Sequence, residues 1–149
     1  MRENPDKYRY IVCVEAIVHN DGKYLMITRS EKEIHAPGTI SFPGGKVEVD
    51  QPASGIFEEA VRREILEETG ITVKPEMRIL KNKFFVSYDG YKIVDIIFLC
   101  EFAAGEPVIN DPEEVVAVQW MTLQEVLNHP KSPDWTKDDL LSSIELEHI

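Results

Sequence analysis

Positive charge is scarce in this chain of 149 residues: 16 Lys and Arg stand against 27 Asp and Glu, a formal net charge of -11. That sign is opposite to the footprint of a duplex binder or of a protein that coats anionic membranes, so neither nucleic acid nor membrane is expected as a partner. Acidic charge also repels free nucleotides, so a phosphate-bearing ligand would need a metal ion or a local patch of cations and backbone N–H groups. Long apolar runs are missing too. No stretch reaches the roughly 18 apolar residues of a membrane span. The opening Met1-Arg2-Glu3-Asn4-Pro5-Asp6-Lys7 is polar with no apolar h-region behind it, which points to a cytoplasmic protein. Cysteine is limited to Cys13 and Cys100, each inside an apolar run, where thiols are commonly buried and structural. No internal repeat, low-complexity tract or linker divides the chain, so residues 1–149 are expected to form one domain, as a monomer or homodimer.

A core is well provided for. The composition is 43% hydrophobic and 29% charged, with 8 Gly and 9 Pro, which excludes disordered, collagen-like and coiled-coil chains. A chain of this length can bury roughly 70% of its unfolded surface. The β-branched run from Tyr10 to Val18 and the segment Lys23 to Thr28 flank His19-Asn20-Asp21-Gly22, and this pattern predicts a hairpin. A second hairpin is predicted from Phe84–Tyr88 and Tyr91–Leu99 around Asp89-Gly90, and a further strand over Val115–Trp120. Ile56 to Thr69 lacks Gly and Pro and stops at Gly70, a residue suited to the left-handed position after a helix. Thr122-Leu123-Gln124-Glu125 has the form of a capping box, and Thr136 to Glu147 reads as a last helix. Strands and helices interleave, so the fold class is α/β around one mixed sheet.

The central helix carries the chemistry. Glu64, Glu67 and Glu68 fall at i, i+3 and i+4, which places three carboxylates on one helical face. Their mutual repulsion would be removed by a hard divalent cation with oxygen ligands; Mg²⁺ suits the cluster because phosphate and water complete its shell. The bland alternative is a solvated helix face. Phe57, Val61 and Ile65 recur at i+4 spacing beside the carboxylates, so the acidic face borders the protein body. Arg63 can orient a neighbouring carboxylate or form a plain surface ion pair. Upstream, Phe42-Pro43-Gly44-Gly45-Lys46 lets the backbone approach a ligand closely.

Together these segments resemble the Nudix hydrolase family, whose box reads G-x5-E-x7-R-E-U-x-E-E-x-G-U with U aliphatic. Arg63-Glu64-Ile65-Leu66-Glu67-Glu68-Thr69-Gly70-Ile71 meets the second half in full, and Phe42 to Glu48 looks like the usual lead-in. Between them the loop is four residues longer than the pattern, and the middle glutamate position falls on Gln51 or Gly55 according to the end from which it is counted. The resemblance implies an α/β/α sandwich with a mixed sheet between helices. It also implies Mg²⁺-dependent hydrolysis of a pyrophosphate bond in a nucleoside diphosphate linked to another moiety, with Mn²⁺ as an alternative metal. A nucleoside triphosphate, dinucleoside polyphosphate, coenzyme A derivative and nucleotide sugar all remain open as the nucleotide-derived substrate.

On this resemblance Gly45, Glu64, Glu67 and Glu68 are the metal ligands. Glu64 is the first choice of general base and Glu114 the second, with Arg63 in support. Lys46, His35 and Tyr88 are the candidate substrate contacts; Tyr88 lies at a spacing similar to the tyrosine of dinucleoside polyphosphate hydrolases. Phe84, Phe85 and Tyr91 could stack on a base or simply pair across strands. His19, His129 and His148 have no partner at metal-ligand spacing. Two other functions share the scaffold. One is a nucleotide-sensing module that does not cleave its ligand. The other is an isoprenoid diphosphate isomerase, which would call for a catalytic cysteine.

Overall fold

The two residues Asp21 and Gly22, with φ of 49° and 76°, reverse the chain so tightly that His19 pairs with Tyr24 and Asn20 with Lys23. In this computed structural model, which describes residues 4–147, the turn joins β1 (Ile11–Asn20) to β2 (Lys23–Arg29). β3 (Ile40–Ser41) and β4 (Gly44–Lys46) are short pieces in a segment whose sequence pattern reads as loop. They lead into α1 (Ile56–Thr69), β5 (Thr72–Val86), β6 (Lys92–Ala104), β7 (Val115–Thr122), α2 (Leu123–Asn128) and α3 (Asp134–Glu147). His148 lies outside the described residues.

The sheet is mixed. β1 runs parallel to β6, from Ile11 opposite Ile93 to His19 opposite Glu101, and antiparallel to β4. β2 leaves β1 after the hairpin and pairs antiparallel with β7 and β3, while β5 closes the far edge against β6. Strand alternation then sorts the core into two layers. Val14, Ala16, Val18, Ile96, Phe98 and Cys100 pack with Ala60, Val61 and Ile65 of α1. Ile17 and Ile97 pack on the opposite face with Val126 of α2 and Leu140 of α3. The expected α/β/α layering is what forms. No helix among the described residues is long and apolar enough to cross a membrane.

α1 covers the predicted span and ends at Gly70, whose φ is 75° and whose N–H donates to the Leu66 carbonyl at 3.0 Å. A Cβ at Gly70 would stand 2.6 Å from Val108 Cγ2, so both the backbone angle and the space call for glycine. The Thr122 capping box is present in both directions. Several boundaries differ from the sequence reading, and two of the differences have a clear physical cause. The second hairpin is far longer than expected, because β5 begins at Thr72. Its exposed Lys74, Glu76 and Arg78, and its register shifts between Val73 and Met77 and between Ile79 and Lys81, hide the two-residue period. Pro75 sits in the first of these irregularities, the place an edge strand tolerates proline. α3 starts at Asp134 rather than Thr136, whose buried hydroxyl instead donates to the Ile40 carbonyl at 3.0 Å and docks the helix on β3.

Candidate active site

The glycine turn and α1 are built into each other. Gly44 N–H donates to Glu68 Oε1 at 2.8 Å. A Cβ on Gly45 would lie 2.5 Å from Glu64 Cδ, and one on Gly44 would run into the Val14 carbonyl oxygen and stand 2.9 Å from Glu15 Cα. Gly44 is therefore needed against β1 and Gly45 against the helix. Arg63 ties the two sides: Nη1 donates to Glu64 Oε1 at 3.0 Å and reaches Glu67 Oε2 at 3.5 Å, while Nη2 donates to the Lys46 carbonyl at 3.3 Å. The arginine is thus more than a surface ion pair, since it straps α1 to β4. The longer loop does not disturb this junction. Residues 48–55 are all exposed, with Gln51 among them and Gly55 in a left-handed conformation ahead of α1, so neither supplies a carboxylate.

Burial sets the electrostatics. It pushes the Glu68 carboxyl up to about 8; the Gly44 N–H opposes the shift, and the charges of Glu64 and Glu114 add to it. Glu64 is also raised by burial, against the pull of Arg63. Glu114 is raised by partial burial and by Asp111 and Glu33. The Glu114 carbonyl accepts from Ser30 N–H at 2.8 Å, and Asn110 donates to the Glu67 carbonyl at 2.8 Å. The first bond ties the loop before β7 to the end of β2 and the second ties it to the end of α1, and the Glu114 charge acts on both Glu64 and Glu68.

Among the described residues no three His, Cys, Asp or Glu side chains are already arranged to hold a metal ion. The donor chemistry nevertheless fits a hard cation. Glu64 and Glu68 are withdrawn from water beside a side-chain-free backbone, and Arg63 contacts Glu64 and Glu67, a single positive charge beside a cluster of oxygen donors.

A cavity of about 510 Å³ opens from the glycine turn. Gly45 and Lys46 border it at one end, Arg29 and His35 line one wall, and Phe85 and Tyr91 another. The His35 ring stacks on Phe85, with centroids 5.5 Å apart and planes 16° from parallel, and its carbonyl accepts from Arg29 Nε at 3.1 Å. Partial burial and the Arg29 charge hold the imidazole below its ordinary pKa. Tyr88 stands 89% exposed at the hairpin tip, away from this lining. Of the candidate residues, the structure brings Gly45, Glu64, Glu67, Glu68, Arg63 and Glu114 together, sets Lys46 and His35 on the cavity, and leaves Tyr88 outside.

Sequence reasoning missed Arg29, Glu15 and Asp95. The last two sit at the cavity floor, and their signal was an acidic residue inside each of two apolar strand runs. Cys100 is buried, and Cys13 is half-buried at the floor; burial pushes their thiols up to about 12 and about 11, so neither is poised as a thiolate.

The model of the NUDIX domain family matches residues 7–141. The chain belongs to the Nudix family. Among curated relatives, the phosphatase NudJ of Escherichia coli K12 is 27% identical over 116 residues, 78% of this chain and 71% of that protein. Among solved structures, a MutT NUDIX hydrolase from Burkholderia pseudomallei superposes with a TM-score of 0.74 at 30% identity, covering 90% of this chain and 98% of that one. The MutT protein of Methanosarcina mazei gives 0.73 at 26% identity over 93% and 96%. The NUDIX domain of Shewanella oneidensis NrtR, solved with ADP ribose, gives 0.74 over 97% and 94%, and at 21% identity it speaks for the fold alone. This Nudix protein is an enzyme of the hydrolase class.

Proposed function

We propose that the enzyme hydrolyses the pyrophosphate linkage of a nucleoside diphosphate joined to another group, using Mg²⁺, or Mn²⁺ in its place. The supporting observation is the packing of Glu64 and Glu68 against Gly44-Gly45 at the mouth of the cavity. Glu64, Glu67, Glu68 and the Gly45 carbonyl would hold the metal. When bound, the ion neutralises phosphate charge, polarises phosphorus and makes a bound water more acidic. Arg63 keeps Glu64 and Glu67 oriented. Lys46 and Arg29 offset the charge of the diphosphate in a chain that otherwise repels it. Glu64 accepts the proton of the attacking water, with Glu114, which stands on the same side, as the second choice. His35 lines the cavity, where its flat contact with Phe85 suits an aromatic ring of the substrate. The same reading takes residues 1–149 as one domain, acting in the cytoplasm as a monomer or homodimer.

The test is turnover with Mg²⁺ on a panel of nucleoside diphosphate derivatives, comparing wild type with Glu67→Gln and Glu68→Gln. A fall in kcat of about a hundredfold or more is expected for each, in line with the removal of an electrostatic group that acts on the transition state. Equal turnover in all three proteins ends the proposal.

A further inference from the structure

The glycine turn accounts for the diphosphate but not for the group attached to it; the floor of the cavity speaks to that. β1 and β6 pair Cys13 with Asp95, and β1 and β4 pair Cys13 with Lys46, so Lys46, Cys13 and Asp95 form one row across the sheet. Two strand spacings separate the ends of that row, roughly 10 Å, comparable to the reach from a nucleotide's phosphate to its base. β5 continues the row with Lys83, but Asp139 of α3 takes both Lys81 and Lys83 at 2.8 Å. Among the described residues no cation makes a salt bridge to Asp95; Lys83, held by Asp139, acts on it only through space.

Asp95 is only 4% exposed, it lines the cavity, and its Oδ1 has no hydrogen-bond partner. Its neighbour on the floor, Glu15, is a second carboxyl, held protonated by burial and by the Asp95 charge; it donates to Asp95, which keeps the acceptor role. Leaving a buried acceptor unsatisfied is costly, and a fold that retains one without a structural gain is keeping it for a ligand. The wall next to it is flat. Phe85 pairs with Ile93, two residues from Asp95 on the same face, and carries the stacked His35 ring.

We propose that Asp95 reads the heterocycle of the substrate: its Oδ1 accepts from the exocyclic amino group of an amino-substituted ring lying along the Phe85 and His35 wall. An oxo-substituted ring would turn a carbonyl lone pair onto the same oxygen and be rejected. The substrate class is then a nucleoside polyphosphate with an adenine-like or cytosine-like edge rather than a hypoxanthine-like or uracil-like one. Asp95 acts on specificity and takes no part in the chemical step, and the inference rests on the pyrophosphohydrolase reading above.

The experiment measures Kd by calorimetry for methylene-bridged, non-hydrolysable triphosphates of adenosine, inosine, cytidine and uridine, with Mg²⁺, on wild type and Asp95→Asn. A charged hydrogen-bond acceptor is expected to favour each amino ligand over its oxo counterpart by about ten- to a hundredfold. In Asp95→Asn, whose amide can face either way, the ratio should fall to within about threefold. Wild type that binds both members of each pair alike, or a folded Asp95→Asn that keeps the preference, overturns the proposal; if the variant does not fold, the wild-type ratios decide alone. Hydrolysis of the natural triphosphates is followed in parallel. Hydrolysis without the preference defeats this inference only, whereas preference in binding without hydrolysis defeats only the proposed reaction.

Discussion

Replacing Glu68 by glutamine should make the metal-free protein more stable at alkaline pH while disabling it. The Glu68 carboxyl sits at about 8 in the fold against an ordinary 4.5, chiefly because burial disfavours its charge. A carboxyl whose folded pKa is raised binds its proton more tightly in the native state. Its contribution is therefore favourable below the unfolded value and is lost as pH rises through the folded one. At about 1.4 kcal/mol per unit, the whole shift is a ceiling of roughly 5 kcal/mol. Glu64 and Glu114 contribute to the repulsion and readjust once Glu68 is neutral, so a gain of about 2–4 kcal/mol is the working value for the glutamine variant. For a chain of this size that corresponds to a rise in Tm of roughly 5–12 °C. The substituted amide would keep the bond from Gly44 N–H, since its carbonyl oxygen can accept in place of Oε1. Thermal melts in chelator at about pH 5 and about pH 9 decide the matter: the two proteins should lie close together at the lower pH and separate at the higher. If the variant melts with wild type at both, the buried-charge account of Glu68 is wrong.

The remaining outcomes follow from the same junction. Gly44→Ala meets β1 backbone and should cost about 2–3 kcal/mol, seen as a lowered Tm. Gly45→Ala meets the movable end of Glu64, so it should melt within a few degrees of wild type yet lose turnover by about a hundredfold because the carboxylate is displaced. Mg²⁺ should raise the Tm of wild type more at about pH 8 than at about pH 6, because ligand carboxylates must first lose their protons; a thermal-shift titration at the two values checks it.

What could be read in advance was whatever has a local cause. α1 was legible end to end because its interior lacks breakers and Gly70 stops it, and the carboxylate face followed from helical spacing alone. The Asp21-Gly22 reversal was equally local. β5 was not, because an edge strand exposes most of its side chains, and bulges shift the alternation each time it begins to show. The floor of the cavity was hidden for a different reason. Glu15 and Asp95 are single acids in apolar runs, and nothing in either run says that they meet; that depends on the parallel register of β1 with β6, two strands far apart in the chain.

Buried acid gathers at both ends of the cavity. Glu64 and Glu68 pack against Gly44 and Gly45, which line its mouth, and Glu15 and Asp95 line its floor. Burial disfavours the charge of all four. Each cluster has incomplete compensation inside the protein: Arg63 and the Gly44 N–H at one end, Lys83 shared away to Asp139 at the other. A chain selected for stability alone would replace such groups by neutral ones of similar volume. Retaining them at both ends of one cavity calls for a ligand that supplies positive charge or donors at both ends. A metal-bound diphosphate satisfies the first end and an amino-bearing ring the second, so one molecule relieves both sets of carboxyls when it binds. Binding should therefore raise the Tm by more than either half does alone, a nucleoside without phosphate or inorganic pyrophosphate with Mg²⁺. The two ends belong to one site only if that is so.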